Sequence, residues 1–126
     1  MRVCVVGGGG REHALVDALA RTADVVCTPG NPGIAELAEC TARPAEDLDA
    51  DLYVVGPEAP LVDGLGDRLR AAGRAVFGPG ADGARLEGSK AWMKDLLSSA
   101  GVPTAGYGIF DSAGPAIEYL KAMQGP

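Results

Sequence analysis

The chain has 126 residues, the size of one ordinary domain, and 47% hydrophobic with 22% charged residues is the composition of a globular protein. A net charge of −6 argues against a nucleic-acid binder, which would present a basic surface. No apolar run approaches the roughly 18 residues of a membrane span, and residue 1 leads directly into a strand pattern. We therefore expect no membrane segment and no signal peptide.

Four apolar runs rich in β-branched residues predict buried strands at residues 2–6, 24–28, 51–56 and 74–78. Each run ends in a loop of glycine and proline, with the sequences GGGG, PGNPG, GPEAP and GPG. Continuously apolar strands that alternate with helices form parallel sheets covered on both faces. Ligands of such sheets bind outside the carboxyl ends of the strands, so these four loops predict a site at that edge.

Two helices are predicted between these strands. One covers residues 12–21, and its predicted buried face consists of Ala14, Leu15, Ala18 and Leu19. The other ends at Gly73, and it is predicted from the helical spacing of the apolar residues Leu61, Val62, Leu65 and Leu69. Residues 40–43 suggest a short strand. Residues 44–50 are too few for a crossover helix, so we expect one turn or a loop there.

The sequence changes character after residue 88. SKAWMKDLLSSAG predicts an amphipathic helix with Ser89 as N-cap and Gly101 as C-cap. Residues 105–110 suggest an edge strand, and residues 111–123 predict a helix capped by Asp111 or Ser112. We predict an N-terminal domain over residues 1–102 and the beginning of a second, truncated domain over residues 103–126.

The cysteines Cys4, Cys27 and Cys40 are odd in number and lack the Cys-x-x-Cys spacing of metal and redox sites. Cys4 and Cys27 lie inside apolar runs, where a free cysteine behaves as a small hydrophobic residue. We expect unreactive thiols in a reducing cytoplasm, with a metal or redox role as the alternative.

The glycine loop does not fit the G-x-G-x-x-G dinucleotide fingerprint, because Glu12 or His13 occupies the third glycine position. Residues 28–30 offer no acid for ribose hydroxyls, and no Gly-Lys-Ser/Thr follows the loop. A glycine-rich turn before a helix nevertheless presents N–H groups and a positive dipole to an anion. Arg11 opposes that dipole unless an anionic ligand docks there. A tight turn with Arg11 in solvent is the alternative.

Three further side chains near the predicted edge are candidates. Glu58 can accept hydrogen bonds from both hydroxyls of a ribose, or it can serve the dipole of the following helix. Asn31 is by default a turn former, with a ligand contact as the other interpretation. We expect His13, near the start of a helix, to be neutral and to orient its neighbours by hydrogen bonding rather than to act in catalysis.

Lys90 and Lys94 share one helix with i, i+4 spacing. From this pattern alone they are solvated surface lysines. The alternative for Lys90, in the first turn of its helix, is a contact with a nucleotide phosphate.

Together, GGGGREHAL, PGNPG, DLYVVGPEAPLVDGL, FGP and ARLEGSKAWMKDLLSSAGVPTA resemble the glycinamide ribonucleotide synthetases (phosphoribosylamine–glycine ligases) of purine biosynthesis. The resemblance covers nearly the whole chain in the family's order. It implies a Rossmann-like pre-ATP-grasp domain with a mainly parallel sheet, followed by the first strand and helix of an ATP-grasp domain. It further implies that glycine is joined to 5-phosphoribosylamine with ATP and Mg²⁺ through a glycyl phosphate.

The resemblance also implies a pocket for the phosphoribosyl substrate, formed by Gly8, Gly9, Gly10, Arg11, Glu12, Pro29, Gly30, Asn31, Gly56, Pro57 and Glu58. Within it, Glu58 would take the ribose hydroxyls. Lys90 matches the lysine that ATP-grasp relatives direct at nucleotide phosphates. The implied partners are small molecules, and the protein is expected to be a cytoplasmic monomer.

Two departures from the family pattern matter. The region before DLYVVGPE is shorter than usual, and the chain ends before the family's ATP-covering loop and Mg²⁺ carboxylates. We therefore expect no catalytic residue and no metal ligand within it, and no catalysis by this polypeptide alone. The alternatives are a non-catalytic Rossmann-type nucleotide-binding module and another ATP-grasp enzyme of the purine pathway.

Overall fold

In the computed structural model, which describes residues 1–123, the first 88 residues alternate strands and helices. The strands are β1 (Arg2–Gly7), β2 (Asp24–Pro29), β3 (Glu39–Cys40), β4 (Leu52–Val55) and β5 (Val76–Phe77). The helices are α1 (Gly10–Leu19), α2 (Glu58–Val62), α3 (Leu65–Ala71) and α4 (Ala81–Gly88). Short 3₁₀ helices at Ile34–Glu36 and Ala45–Asp47 flank β3, so residues 44–50 contain the predicted single turn.

All five strands are parallel, in the order β3-β2-β1-β4-β5. From β1 the chain runs outward through β2 and β3, then returns to the other side of β1 to form β4 and β5. The strand order therefore reverses between β1 and β4. In open parallel sheets, the carboxyl ends of the strands at such a point form the usual ligand-binding crevice.

Alternate residues of β1 face opposite sides of the sheet, and both faces are covered. Val3 and Val5 pack with Val16 of α1, whereas Cys4 and Val6 belong to a second cluster with α2, α3 and α4. This arrangement confirms the predicted sheet with helices on both faces.

The buried face of α1 differs from the predicted one. Val16 is fully buried and Leu15 and Leu19 are partly buried, but Ala14 and Ala18 are exposed. The larger side chains bury more apolar area per residue, so they decide which stripe of the helix meets the sheet.

The helix predicted through residues 61–69 is two helices, because Gly64 adopts φ +83° and separates α2 from α3. Leu61 and Leu65 are nevertheless both buried, as their spacing predicted, whereas Val62 is exposed. Gly73 has φ +77° just after α3, which confirms it as the helix stop.

The described residues from Ser89 onward, 89–123, belong to a second compact unit with the helices α5 (Lys90–Ser99) and α6 (Ala113–Ala122). Ser89 caps α5 by accepting a hydrogen bond from the Trp92 N–H at 3.3 Å, and Gly101 follows with φ +67°, as predicted. The N-cap of α6 is Ser112. The domain boundary predicted after residue 102 stays a prediction.

Residues 105–110 were expected to form an edge strand and do not. A strand needs a hydrogen-bonded neighbour, and the second unit contains no other strand within its described residues. Across residues 1–123, none of the helices combines the length and apolarity that crossing a bilayer requires.

Candidate ligand-binding site

The loops after β1 and β4 lie side by side at the point where the strand order reverses, and the Gly56 N–H donates to the Val6 carbonyl at 3.1 Å. The first of these loops leads into α1. The first four N–H groups of a helix, here those of residues 9–12, have no partner inside it. The Gly9 N–H donates to Glu12 Oε2 at 2.7 Å. The remaining three and the helix dipole make this end suited to an anion.

Arg11 and Glu58 meet across these two loops. Arg11 Nη2 lies 3.7 Å from Glu58 Oε2, and the two side chains are 56% and 45% exposed. Pro57 is the N-cap of α2, and Glu58 is its first residue. The structure thus brings a cation and an anion, predicted separately, to one accessible place beside the end of α1.

A cavity of about 420 Å³ adjoins this pair, a volume typical of small-molecule sites. Its polar side chains are Arg11, Glu58 and Glu87. Its apolar wall was not predicted and consists of Val55, Leu61, Phe77, Pro79, Ala84 and Leu86. The FGPG loop was the available signal for Phe77 and Pro79, but nothing in the spacing of α4 distinguishes Ala84 and Leu86 from ordinary core residues.

The helix on one side of the cavity, α4, is capped from another element. The Ala81 N–H, at its start, donates to Asp67 Oδ2 of α3 at 2.8 Å. A Cβ on Gly80 would lie 2.6 Å from Asp67 Oδ1, so the loop before α4 passes close to the capping carboxylate. Asp67 therefore fixes the start of α4 against α3.

Glu12 does not line the crevice directly, because it is 4% exposed and both its oxygens accept hydrogen bonds. A Cβ at Gly56 would lie 2.1 Å from Glu12 Oε1, and one at Gly7, which has φ +130°, would lie 2.5 Å from Cγ. These two glycines make room for the protein's own carboxylate. By contrast, a Cβ at Gly10 would meet nothing within 4 Å, so that position is open.

The loop after β2 packs against the glycine loop as expected. The Gly30 N–H donates to the Gly7 carbonyl at 3.1 Å, and the Asn31 amide donates to the Gly8 carbonyl at 2.9 Å. Asn31 Oδ1 accepts from the Ile34 N–H at 2.9 Å. The Asn31 side chain is therefore engaged within the protein, which supports its interpretation as a turn former.

Pro29 ends β2 in register with Gly7, following a cis Thr28–Pro29 peptide bond. The buried Thr28 hydroxyl donates to the Arg43 carbonyl at 2.7 Å. This end of β2 thus carries no carboxylate of the kind that binds a dinucleotide ribose, as the sequence indicated.

His13 lies against the loop that follows Asn31, since a Cβ on Gly33 would come within 2.6 Å of its Cε1. Its imidazole makes no hydrogen bond to any residue of the range 1–123, and the role of His13 as a hydrogen-bonding orienter stays a prediction.

In the second unit, Lys90 and Lys94 line a cavity of about 310 Å³ with Tyr107 and Ile109. Lys94 is held there, because its ammonium donates to Thr104 Oγ1 at 2.6 Å and lies 5.6 Å from the Tyr107 ring centroid. Lys90 is exposed and makes no ion pair with the described residues.

Burial raises the pKa of the Cys4 and Cys27 thiols to about 11, which supports the expected lack of reactivity of these two. Cys40 is partly buried. Within residues 1–123, no group of three His, Cys, Asp or Glu side chains is placed to hold a metal ion.

A parallel sheet that is covered on both faces, and whose strand order reverses between β1 and β4, defines a Rossmann-like domain. Residues 1–87 match the family described as "Phosphoribosylglycinamide synthetase, N domain", and the chain belongs to this family.

Named relatives agree with this assignment. The chain is 53% identical to the phosphoribosylamine–glycine ligase of Streptomyces coelicolor over 83% of its length, and 45% identical to that of Agrobacterium fabrum over its full length. These alignments cover 28% and 33% of the two relatives. The chain therefore spans about a third of the length of the curated relatives it matches.

A solved structure agrees as well. The crystal structure of phosphoribosylamine–glycine ligase from Thermotoga maritima superimposes with a TM-score of 0.69 at 27% identity. The superposition covers 98% of this chain and 31% of that one. The fold is thus that of the N-terminal part of such a ligase.

Proposed function

We propose that this chain provides the phosphoribosyl-substrate site of a phosphoribosylamine–glycine ligase. That reaction of purine biosynthesis converts ATP, 5-phosphoribosylamine and glycine to glycinamide ribonucleotide, ADP and phosphate. The observation that carries the proposal is the meeting of Arg11 and Glu58, 3.7 Å apart, beside the N-terminus of α1 at the switch point of the sheet. The ligases to which the chain is similar carry that activity in their names.

In this proposal the substrate phosphate lies at the first turn of α1. The N–H groups of Gly10 and Arg11 donate to it, and the Arg11 guanidinium neutralises its charge. Gly10 is open, so its backbone is accessible. A bound phosphate also removes the conflict between the Arg11 charge and the positive end of the helix dipole.

The ribose then extends toward Glu58, whose carboxylate accepts hydrogen bonds from two adjacent hydroxyls. This carboxylate is 45% exposed and lines the cavity of about 420 Å³, so a sugar can reach it. Gly8, Gly9, Pro29, Gly30 and Asn31 do not line that cavity, and in this proposal their backbone flanks the phosphate instead, whereas Gly56 and Pro57 position Glu58.

We further propose that Lys90 contacts a phosphate of ATP, because its ammonium is exposed at a cavity and unpaired within residues 1–123. Mg²⁺, when bound, would neutralise charge on the reacting phosphates. We assign no catalytic residue and no metal ligand to the described residues. A monomer in the cytoplasm is the proposed setting, and three unpaired thiols support a reducing compartment.

Calorimetric titration of the chain with ribose 5-phosphate, glycinamide ribonucleotide and NAD tests the substrate site. We expect both sugar phosphates to bind, the ribonucleotide more tightly, and NAD to bind more weakly than either. Tighter binding of NAD than of the sugar phosphates would contradict the proposal.

A separate titration with ADP tests Lys90. We expect Lys90→Ala to weaken ADP binding. The matched control is Lys121→Ala, which removes an equal charge from an exposed lysine that pairs with Glu118 on α6. Equal effects of the two substitutions would show a general charge effect and contradict the assignment.

A further inference from the structure

Resting on the proposed function, we infer that Glu12 is a positioning residue that holds the Arg11 guanidinium and, through the Gly9 N–H, the glycine loop in the geometry the phosphate requires. It does so without touching the ligand. At 4% exposure, its carboxylate is out of reach of a molecule in the crevice.

The hydrogen bonds of Glu12 divide between the two groups it holds. Oε2 accepts from the Gly9 N–H at 2.7 Å, and Oε1 accepts from Arg11 Nε at 3.2 Å. The bond to Nε leaves the outer nitrogens of the guanidinium unbound by Glu12, and Nη2 points to within 3.7 Å of Glu58. Glu12 thereby holds the Nε end of the Arg11 guanidinium, while the Nη2 end faces Glu58 at the exposed side of the site.

The residues around the Glu12 carboxylate leave room for it. Glycines stand at three positions around it, where a Cβ would lie 2.9 Å or less from a Glu12 side-chain atom: Gly7, Gly9 and Gly56. These glycines come from the end of β1, the loop before α1 and the loop after β4. The Glu12 side chain therefore connects both sides of the switch point through one buried group.

The ion pair between Glu12 and Arg11 differs from an ordinary surface ion pair. Exposed pairs contribute little, because water screens them and both side chains lose freedom. Here the Glu12 side chain is 5% exposed, so solvent competes weakly for its oxygens, while the Arg11 side chain is 56% exposed. Packing fixes the Glu12 carboxylate, and its hydrogen bond restricts the motion of the exposed Arg11 side chain.

Glu12→Gln is the first test, because glutamine keeps the shape of the side chain but has one acceptor oxygen. One of the two donors, Gly9 N–H or Arg11 Nε–H, must then face an NH₂ group. We expect the Kd for ribose 5-phosphate to rise about tenfold, the size expected for losing one charged hydrogen bond, and the melting temperature to fall by a few degrees because a donor beside the buried side chain loses its acceptor. The control is Asp17→Asn, which removes the same charge from the exposed side of α1. Wild-type affinity in Glu12→Gln would overturn the inference.

A double-mutant cycle asks whether Glu12 acts through Arg11. In an Arg11→Met background, Glu12→Gln is expected to weaken ribose 5-phosphate binding much less than it does in the wild type. The same factor in both backgrounds would overturn the inference. If Glu12→Gln does not fold, Arg11→Lys decides, since lysine keeps the charge but cannot reproduce the Nε bond. Wild-type affinity in Arg11→Lys would also overturn it.

A measurement without ligand separates this inference from the proposed function. By NMR, the Arg11 Nε–H is expected to exchange slowly with water in the wild type and in Asp17→Asn, and quickly in Glu12→Gln. If the wild type does not bind ribose 5-phosphate, the proposed function fails. The exchange rate then decides alone whether Glu12 holds Arg11, and fast exchange in the wild type would overturn that.

Discussion

The two sides of the crevice differ in what occupies their space. On the side of β1 and β2, the loops are filled by the protein's own groups: Glu12 lies among the glycines, and Asn31 links one loop to the other. On the side of β4 and β5, Glu58 and Phe77 border an open cavity. Loops of similar composition therefore differ in their surroundings: the loops on the first side are packed against the protein's own groups, and those on the second side border an open cavity.

The largest expected effect comes from closing the space around Glu12. Gly56→Ala places a Cβ 2.1 Å from Glu12 Oε1, which must displace the carboxylate. We expect a loss of about 1–3 kcal/mol in the free energy of unfolding, measured in urea. Gly10→Ala is the control, because that Cβ meets nothing within 4 Å, and its stability should be unchanged or slightly higher. Equal stability of Gly56→Ala and wild type would show that the carboxylate is not held there.

The next effect concerns the open side. Glu58→Gln is expected to weaken ribose 5-phosphate binding about tenfold, or about 1.4 kcal/mol, without lowering the melting temperature. Calorimetry and thermal unfolding measure the two quantities. Glu87→Gln is the control, because it removes the same charge from the same cavity. Loss of fold in Glu58→Gln would instead support the interpretation that Glu58 serves the dipole of α2.

A smaller effect is expected at the link between the two filled loops. Asn31→Ala removes the hydrogen bonds to the Gly8 carbonyl and from the Ile34 N–H, and we expect a loss of about 1 kcal/mol in urea unfolding. Asn31→Asp retains the acceptor for Ile34 but sets an oxygen against the Gly8 carbonyl. Full stability in Asn31→Asp would show that the link to Gly8 contributes nothing.

The smallest effect is a pH dependence of the filled side, where the Cys27 thiol donates to the Gly7 carbonyl. Burial raises the pKa of Cys27 and Cys4 from 9.0 to about 11, so the unfolded chain loses these protons first as pH rises. The stability from each thiol is complete below pH 9 and is lost between pH 9 and 11. At pH 9 the loss is a few tenths of a kcal/mol per thiol.

Urea unfolding between pH 7 and 10 measures this slope, and Cys27→Ala should reduce it. In the native chain at pH 8, we expect a thiol reagent to modify Cys40 well before Cys4 and Cys27. Rapid native reaction of all three thiols would contradict the burial argument.

Much of the fold was predictable because the strands are continuously apolar and end at glycine or proline. The order of the strands in the sheet was harder to predict from the sequence, because β3 has only two residues and no distinctive pattern. The break at Gly64 was missed because Leu61 and Leu65 keep helical spacing across it. The left-handed conformation of Gly64 depends on backbone geometry that residue spacing does not encode.

The candidate site was predictable where a motif names a residue, as for Arg11 and Glu58. The burial of Glu12 was not, because isolated carboxylates rarely enter a protein interior. Its place depends on Gly7 and Gly56, which are far apart in sequence and meet only when β1 pairs with β4. The wall formed by Leu86 was missed for a similar reason, since α4 reaches the cavity through tertiary packing.

Because Asp67 caps α4, the helix N-termini along the crevice differ in how well they can accept an anion. Three helices start at this edge of the sheet, and Asp67 occupies the amide end of α4, while Glu58 places a negative charge at the end of α2. An anion is thereby disfavoured at two of the three helix ends and favoured at the end of α1. If the proposed site is correct, we expect an elongated phosphorylated molecule to bind with its phosphate at the N-terminus of α1 and the rest of the molecule beside Phe77.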